Sequence, residues 1–249
     1  MYRKVIKAYP TVPQARERLY FIGFRSDTGA GASFVWPDMD DTKGQPPPTI
    51  SSILEDQATV DAEHILSPHK WMKVQLSRKT NGVLSRRIAD IAGAARTVCS
   101  RYRRGYSHFS EFVPHLLEDG TPKDYQQAYD DQYGDGDAID AASAAADGAQ
   151  DGDGDGDGDG DSDDEGGGSG GSTRGNEGFE SRRLLQNPRF YTPRETARLM
   201  GFPEDFQVAN TMKDEACNNR IYYQLGNAVV PPVIQALVQA IVNTDVYTA

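Results

Sequence analysis

Residues 130–165 carry 15 acidic side chains and no lysine or arginine, and from 151 to 161 they alternate strictly between aspartate and glycine. Such a stretch has almost no apolar surface to set against the entropy of ordering it, so it cannot lie inside a packed core. It divides the chain. Whatever folds must be assembled from residues 1–118 and 181–249, and residues 119–180 read as a disordered acidic Asp/Gly-rich linker. The Asp-Gly alternation superficially resembles a calcium-binding repeat, but it lacks the bidentate glutamate and the ligand spacing of a formed calcium loop. No other metal site is expected. Four histidines (His64, His69, His108, His115) are scattered, and two distant cysteines, Cys99 and Cys217, give neither a zinc cluster nor a disulfide framework.

The acidic stretch also hides the character of the remainder. The whole chain has a net charge of −11, but outside residues 130–165 there are 22 acidic side chains against 26 basic ones, a net charge of +4. The foldable part is mildly basic and can accept a polyanion. The sequence has no run of 18 apolar residues, and its first ten residues, MYRKVIKAYP, lack the apolar stretch of a signal peptide. A soluble intracellular protein with no membrane partner is expected. Arg86-Arg87 and Arg103-Arg104 are too short to count as localisation clusters, so the compartment would be the nucleus in a eukaryote and the cytoplasm otherwise.

Composition separates the foldable residues into blocks. In residues 1–36, the run RLYFIGF at 18–24 reads as a strand buried on both faces, which requires neighbours that nothing before it supplies; the chain is expected to start inside a larger unit. In residues 37–118, a Pro-rich joint leads to a short helix at 49–55. A second helix starts with Ser67 as cap and Pro68 at the first helical position. Residues 78–106 are rich in arginine and lysine interleaved with Tyr102 and Tyr106, and strands are expected near 97–102 and 109–113. In residues 181–217, Thr192-Pro193-Arg194-Glu195 spells a capping box, and the helix it starts should end at Gly201. In residues 218–249, Pro231-Pro232 precedes an amphipathic helix with Val233, Ile234, Leu237, Val238, Ile241 and Val242 on one face and Gln235 and Gln239 on the other.

Two constellations carry chemistry. Gln14, Arg16 and Arg18 occupy alternate positions, hence one side of an extended segment, and two arginines and an amide there suit phosphate oxygens and a pyrimidine edge. Read alone, they equally describe a solvated strand entrance. Gly226-Asn227 stands just before the Pro-started helix, where a polar ligand can meet free backbone N–H groups, and read alone it is equally a turn and a cap.

In this order the motifs become specific. VPQARERLYFIG at 12–23, RFYTPRETARLMGFPEDF at 189–206 and YYQLGNAVVPPVI at 222–234 resemble the eighth, ninth and tenth conserved motifs of the cytosine-5 DNA methyltransferase family. FVWP at 34–37 and the segments LSPHKW, ARTVCSRY and SEFVP between them look like a variable target-recognition domain. The resemblance covers nearly all of the foldable length and is closer to the bacterial DNA enzymes than to the tRNA-modifying branch. It implies a partial doubly wound α/β domain dependent on S-adenosylmethionine, flanking a small mixed recognition domain that binds double-stranded DNA. Gln14, Arg16 and Arg18 would line the pocket for a flipped cytosine, and Asn227, Ala228 and Val229 would touch the methionine part of the cofactor. Thr192, Arg194 and Glu195 would brace the recognition domain, and Arg96, Thr97, Arg101 and Arg103 would contact the groove.

The departures matter equally. The family's chemistry needs a thiolate in a Pro-Cys loop to add to C6 of the base, yet Cys99 follows Val98 and Cys217 follows Ala216. The Glu-Asn-Val segment and the Gly-rich cofactor loop of the family are also missing from this sequence. The resemblance therefore implies the C-terminal half of a DNA cytosine-5 methyltransferase, inactive alone and completed by an N-terminal catalytic half. Three rivals stand beside it: a tRNA cytosine-5 methyltransferase, a non-catalytic nucleic-acid-binding fragment, and a truncated gene model or pseudogene.

Overall fold

The computed structural model describes residues 1–40, 44–77, 80, 82–104, 110–133, 186–208 and 215–244. Most of the expected acidic linker, including its Asp-Gly alternation, lies outside them, as do residues 105–109 in the basic segment and the Cys217 side chain.

The chain opens with a β-hairpin. Strand β1 (Tyr2–Lys7) runs antiparallel to a later strand over Glu17–Ile22, with Tyr2 opposite Ile22, Val5 opposite Leu19 and Lys7 opposite Glu17. Cross-strand partners share a face, so Ile6 and Ile22 point into a core while Val5, Leu19 and Phe21 point out and stay exposed. The 18–24 run is thus covered on one face only, a correction to the expectation from its unbroken hydrophobicity. The inner face packs against Val230, Val233 and Leu237 and against Met200. Phe34 is buried in the same core and Trp36 packs at its edge, ring against ring with a 5.2 Å centroid spacing. FVWP therefore belongs with the hairpin rather than with the middle block.

The connection between the hairpin strands holds β2 (Gln14–Ala15), which pairs in parallel with β4 (Ala95–Arg96); the hairpin's second strand is β3. This pairing welds the first block to the middle one. The middle block has a core of its own, in which Ile50, Leu66, Trp71, Val74, Leu84, Tyr102 and Phe112 are joined by Tyr191 and Tyr222 from after the acidic stretch. Helix α1 (Pro68–Gln75) starts as its sequence predicts, with the Ser67 hydroxyl accepting from the Lys70 N–H at 3.3 Å and Pro68 in the first position. The short helix expected at 49–55 is a single 3-10 turn over Ile50–Ser52. In place of strands near 97–102 and 109–113 there are turns after β4 and isolated bridges at Phe112 and Val113; residue 109 lies outside the described residues.

Helix α2 (Tyr125–Tyr133) corrects the linker boundary. Tyr125 and Tyr129 are one helical turn apart, face the same way and are buried in the middle core, so ordered chain continues past 119 to at least 133. The chain re-enters beside its exit. The Tyr125 hydroxyl donates to the Gln186 carbonyl at 2.8 Å, and Val113 and Arg189 exchange backbone bonds of 2.8 and 3.0 Å.

Helix α3 (Pro193–Leu199) carries both arms of the capping box. Gly201 then takes a left-handed φ of 74°, with the place of its missing Cβ 2.8 Å from Val12 and Pro232. Helix α4 (Glu215–Asn227) packs on α3 through Ile221 and Leu225, and α5 (Pro231–Val242) packs on the hairpin. By length and composition alone the segment Arg220–Val242 is long and apolar enough to cross a membrane. It is interrupted at 228–230, and Ile221, Tyr222, Leu225, Val233 and Leu237 are buried inside the protein. The expected six-residue apolar face of α5 is split in the same way: Val233 and Leu237 are core, whereas Val238 and Val242 are exposed.

Candidate functional site

Three segments far apart in sequence meet around residues 14–16. The Ala95 N–H donates to the Pro13 carbonyl at 2.8 Å, and the Thr97 hydroxyl donates to the Ala15 carbonyl at 2.7 Å. Arg16 lies within this junction. Its Nη1 donates to the Val98 carbonyl at 3.0 Å, and its Nη2 donates to the carbonyls of Gly226 and Ala228, each at 2.8 Å. Burial, with the neighbouring Arg18 charge, lowers the Arg16 pKa to about 10, so the guanidinium is still charged at neutral pH. Its partners are carbonyl dipoles. Arg16 therefore spends both terminal nitrogens on backbone carbonyls inside the junction, whereas Arg18, which alternation places on the same side, is exposed.

Gln14 is the opposite case. It is fully buried, and neither its amide nitrogen nor its amide oxygen has a hydrogen-bond partner among the described residues. A buried amide left unpaired costs about 1–3 kcal/mol, which makes this side chain a candidate for a ligand contact. Arg18 is exposed, its Nη1 resting on the Glu17 carbonyl at 2.7 Å.

Gly226 explains how close the segments come. A Cβ there would sit 2.4 Å from the Cys99 carbonyl carbon and the Ser100 nitrogen, so only glycine lets the end of α4 touch that backbone. The adjacent Asn227 and Val229 side chains are exposed and Ala228 is half-buried. Within the first turn of α5 itself no backbone donor is left over among the described residues. Pro231 and Pro232 have none, and the N–H groups of Val233 and Ile234 turn back to the Val230 carbonyl at 3.0 and 3.2 Å. A ligand here would meet the Asn227 amide and the Val229 side chain instead.

The remaining predicted residues divide in two. Arg96 and Arg101 are exposed and Thr97 is half-buried; Arg96 Nη1 donates to the Arg86 carbonyl at 2.6 Å. Arg103 instead turns inward, its Nη2 on the Glu63 carbonyl at 3.2 Å and its guanidinium 5.7 Å from the Phe190 ring. It is a packing residue more than a groove contact. Arg194 donates to the Phe206 carbonyl at 3.0 Å.

Glu195 sits at the centre of a network that sequence reading only partly reached. Both carboxylate oxygens accept from Arg189 at 2.7 Å, Oε2 accepts from the Thr192 N–H at 2.8 Å and Oε1 from the Glu55 N–H at 2.8 Å. Burial works to lower the Arg189 pKa, but Glu195 outweighs it and the value is raised. Thr192 in turn donates to Glu55 at 2.5 Å. Beside this hub Tyr102 donates to the Glu111 carbonyl at 2.8 Å and accepts from the Tyr191 N–H at 3.0 Å, and Tyr222 donates to the Tyr191 carbonyl at 2.6 Å. Arg189, Glu55 and the three tyrosines were not singled out as site residues, since no local periodicity links positions 55, 102, 189 and 222. An open cleft of about 720 Å³, lined by Gln57, Gln186 and residues 115–119, contains none of the candidate residues. Its polar groups are largely spent, Gln57 exchanging two hydrogen bonds with the Leu116 backbone.

Comparison with known proteins identifies the family of the chain. The C-5 cytosine-specific DNA methylase family matches residues 4–243. The chain belongs to that family. A DNA-cytosine methyltransferase of Escherichia coli is 25% identical over 235 residues, which is 94% of this chain and 39% of that protein. The type II methyltransferase M.SsoII of Shigella sonnei is 43% identical over 58 residues, 23% of this chain and 14% of that protein. The tRNA (cytosine(38)-C(5))-methyltransferase of Schizosaccharomyces pombe is 36% identical over 68 residues, 27% of this chain and 20% of that protein. Among solved structures, a DNMT2 mutant from Spodoptera frugiperda shares the fold with a TM-score of 0.52 at 16% identity, covering 96% of this chain and 56% of that one. The chain thus spans well under two thirds of these relatives. Members of this family are methyltransferases that depend on S-adenosylmethionine.

Proposed function

We propose that this chain supplies the target-recognition part and one edge of the cofactor site of a DNA cytosine-5 methyltransferase, and that methyl transfer requires a second polypeptide portion carrying the nucleophile and the Gly-rich loop. The observation that carries the reading is the junction itself, where the segment with the candidate groove residues is hydrogen-bonded to the segment with Gln14 and abuts the segment with Asn227. Arg96, Thr97 and Arg101 meet the duplex, and Gln14 and Arg18 meet the cytosine flipped out of it. The buried, unpaired Gln14 amide suits the donor and acceptor edge of a pyrimidine. Asn227 and Val229 fit one polar and one apolar contact to the methionine part of S-adenosylmethionine, which when bound supplies the methyl group. Neither Cys99, half-buried against α4, nor Cys217 lies in a Pro-Cys loop, so the thiolate comes from the other portion.

The uncovered apolar side chains support a missing neighbour. Val5, Leu19 and Phe21 on the outer face of the hairpin are 55%, 52% and 59% exposed, and Val238 and Val242 on α5 are 50% and 45% exposed. The hairpin packs on α5 through its inner face, so these are separate exposed apolar patches, and such patches mark docking faces. The decisive experiment co-expresses the chain with a polypeptide carrying the missing motifs and scores pull-down and methylation of duplex DNA. Val238→Asp should abolish both, while Gln239→Asp leaves them intact. Leu237, buried in this chain's own core, is unsuitable as a probe because aspartate there would unfold the chain. A well-behaved chain that ignores the partner, or equal behaviour of the two variants, defeats the reading. The similarity to a tRNA methyltransferase makes folded tRNA the competitor to include; preferential methylation of tRNA would transfer the assignment to that substrate.

A further inference from the structure

The Arg16 side chain touches both candidate binding segments, and its hydrogen bonds to them all go to backbone carbonyls. Val98 lies between Thr97 and the Cys99-Ser100 step, on the side proposed to meet nucleic acid. Gly226 and Ala228 flank Asn227, on the side proposed to meet the cofactor. The guanidinium is planar, with its donors fixed in a fork, so three carbonyls from two segments can be held only at one mutual spacing. The second observation is steric and independent of Arg16. Gly226 allows α4 to rest against the Cys99 and Ser100 backbone with no side chain between, so the two segments cannot shift separately without opening that contact.

We infer that Arg16 is a positioning residue that couples the two loops, so that order imposed on residues 97–101 by nucleic acid is transmitted to residues 225–230, and the reverse. The nucleic-acid part of this inference rests on the reading given under Proposed function. The coupling is an ordering effect: a ligand that fixes one loop lowers the entropy still to be lost by the other. Lysine cannot replace the fork, because one ammonium is a point charge and cannot hold three carbonyls in a plane. Arg18, next along the chain but exposed, has no such partners and is outside the coupling.

Hydrogen–deuterium exchange on the full chain tests this with and without a short mixed-sequence DNA duplex at low salt. Without DNA, Arg16→Lys should speed exchange at both 97–101 and 225–230 by about tenfold or more, leaving the β3 amides and helix α1 at their wild-type rates. With DNA, the wild-type chain should gain protection in both segments and Arg16→Lys only in 97–101. Gly226→Ala, which keeps the guanidinium but pries apart the segments whose carbonyls hold it, should behave like Arg16→Lys. If Arg16→Lys speeds exchange everywhere in step with a lower melting temperature, the residue is a general brace and the inference is wrong. It is equally wrong if exchange is unchanged in either loop, or if DNA still protects both loops in the variant. A duplex that protects nothing in the wild-type chain would sink the nucleic-acid reading instead, and the clamp would then be judged by the exchange rates without DNA.

Discussion

Arg189 and Arg16 are both almost completely buried, 5% and 2% exposed, and their surroundings could hardly differ more. Arg189 lies fork to fork against Glu195, whose oxygens also take two backbone N–H groups, so charge and hydrogen bonds close together. Arg16 has three carbonyls, and its Nε has no partner among the described residues. A buried ion pair is costly to break because removal of one member strands the other. A guanidinium held by dipoles alone keeps its desolvation cost and gains only hydrogen bonds, so a small displacement can undo it. Glu195 thus anchors a closed, charged network, while the junction around Arg16 is held by carbonyl dipoles alone.

The sharpest way to break this comparison is to remove the hub's carboxylate. Glu195→Ala leaves Arg189 buried without its counter-charge and should cost about 3–5 kcal/mol in urea denaturation. A loss below about 1 kcal/mol would mean the pair is no hub. Next in size, Gly226→Ala forces a methyl into the Cys99–Ser100 backbone and should cost about 1–3 kcal/mol through overpacking; a neutral result would show that the junction already tolerates separation.

His64 probes the hub's edge and gives a smaller, pH-dependent effect. Burial lowers its pKa below 6.5, the Arg103 charge adds to this, and its Nδ1 has no partner among the described residues. The unfolded chain then binds more protons than the folded one below pH 6.5, so the stability of neutral His64 is complete above that value and falls as the pH drops through the lowered folded pKa. His64→Asn should remove that part of the decline in melting temperature on acidification. Burial raises the Glu111 pKa and acts in the opposite sense, so the measurement is the difference between variant and wild type. Parallel curves for the two proteins between pH 7 and about 5 would contradict the assignment. Smallest of all, deletion of residues 134–165 should leave the melting temperature nearly unchanged while strengthening duplex binding at low salt, since it removes acidic charge and spares α2. Unfolding of the deletion variant would show that the segment packs.

Local chemistry was legible where a signal is complete within a few residues. Ser67-Pro68 and Thr192-Pro193-Arg194-Glu195 start helices because a cap and a fixed φ need no distant partner. What was missed depends on tertiary context. The run at 18–24 reads as doubly buried, yet its outer face has no cover among the described residues. Tyr125 and Tyr129 were assigned to the linker because the acidic composition beside them masks a one-turn spacing. Alternation placed Arg16 beside Gln14 and Arg18, but only the fold shows that its donors are taken by residues 98, 226 and 228.

The paired exit and re-entry of the chain bears on how this sequence can change over generations. Gln186 is bonded to Tyr125 and Arg189 to Val113, so the described residues on the two sides of 134–185 are held to one another. With both ends of an excursion tied, the cost of closing it grows only with the logarithm of its length, about 0.6 kcal/mol for each doubling. Adding or removing Asp-Gly pairs should therefore change folding stability little.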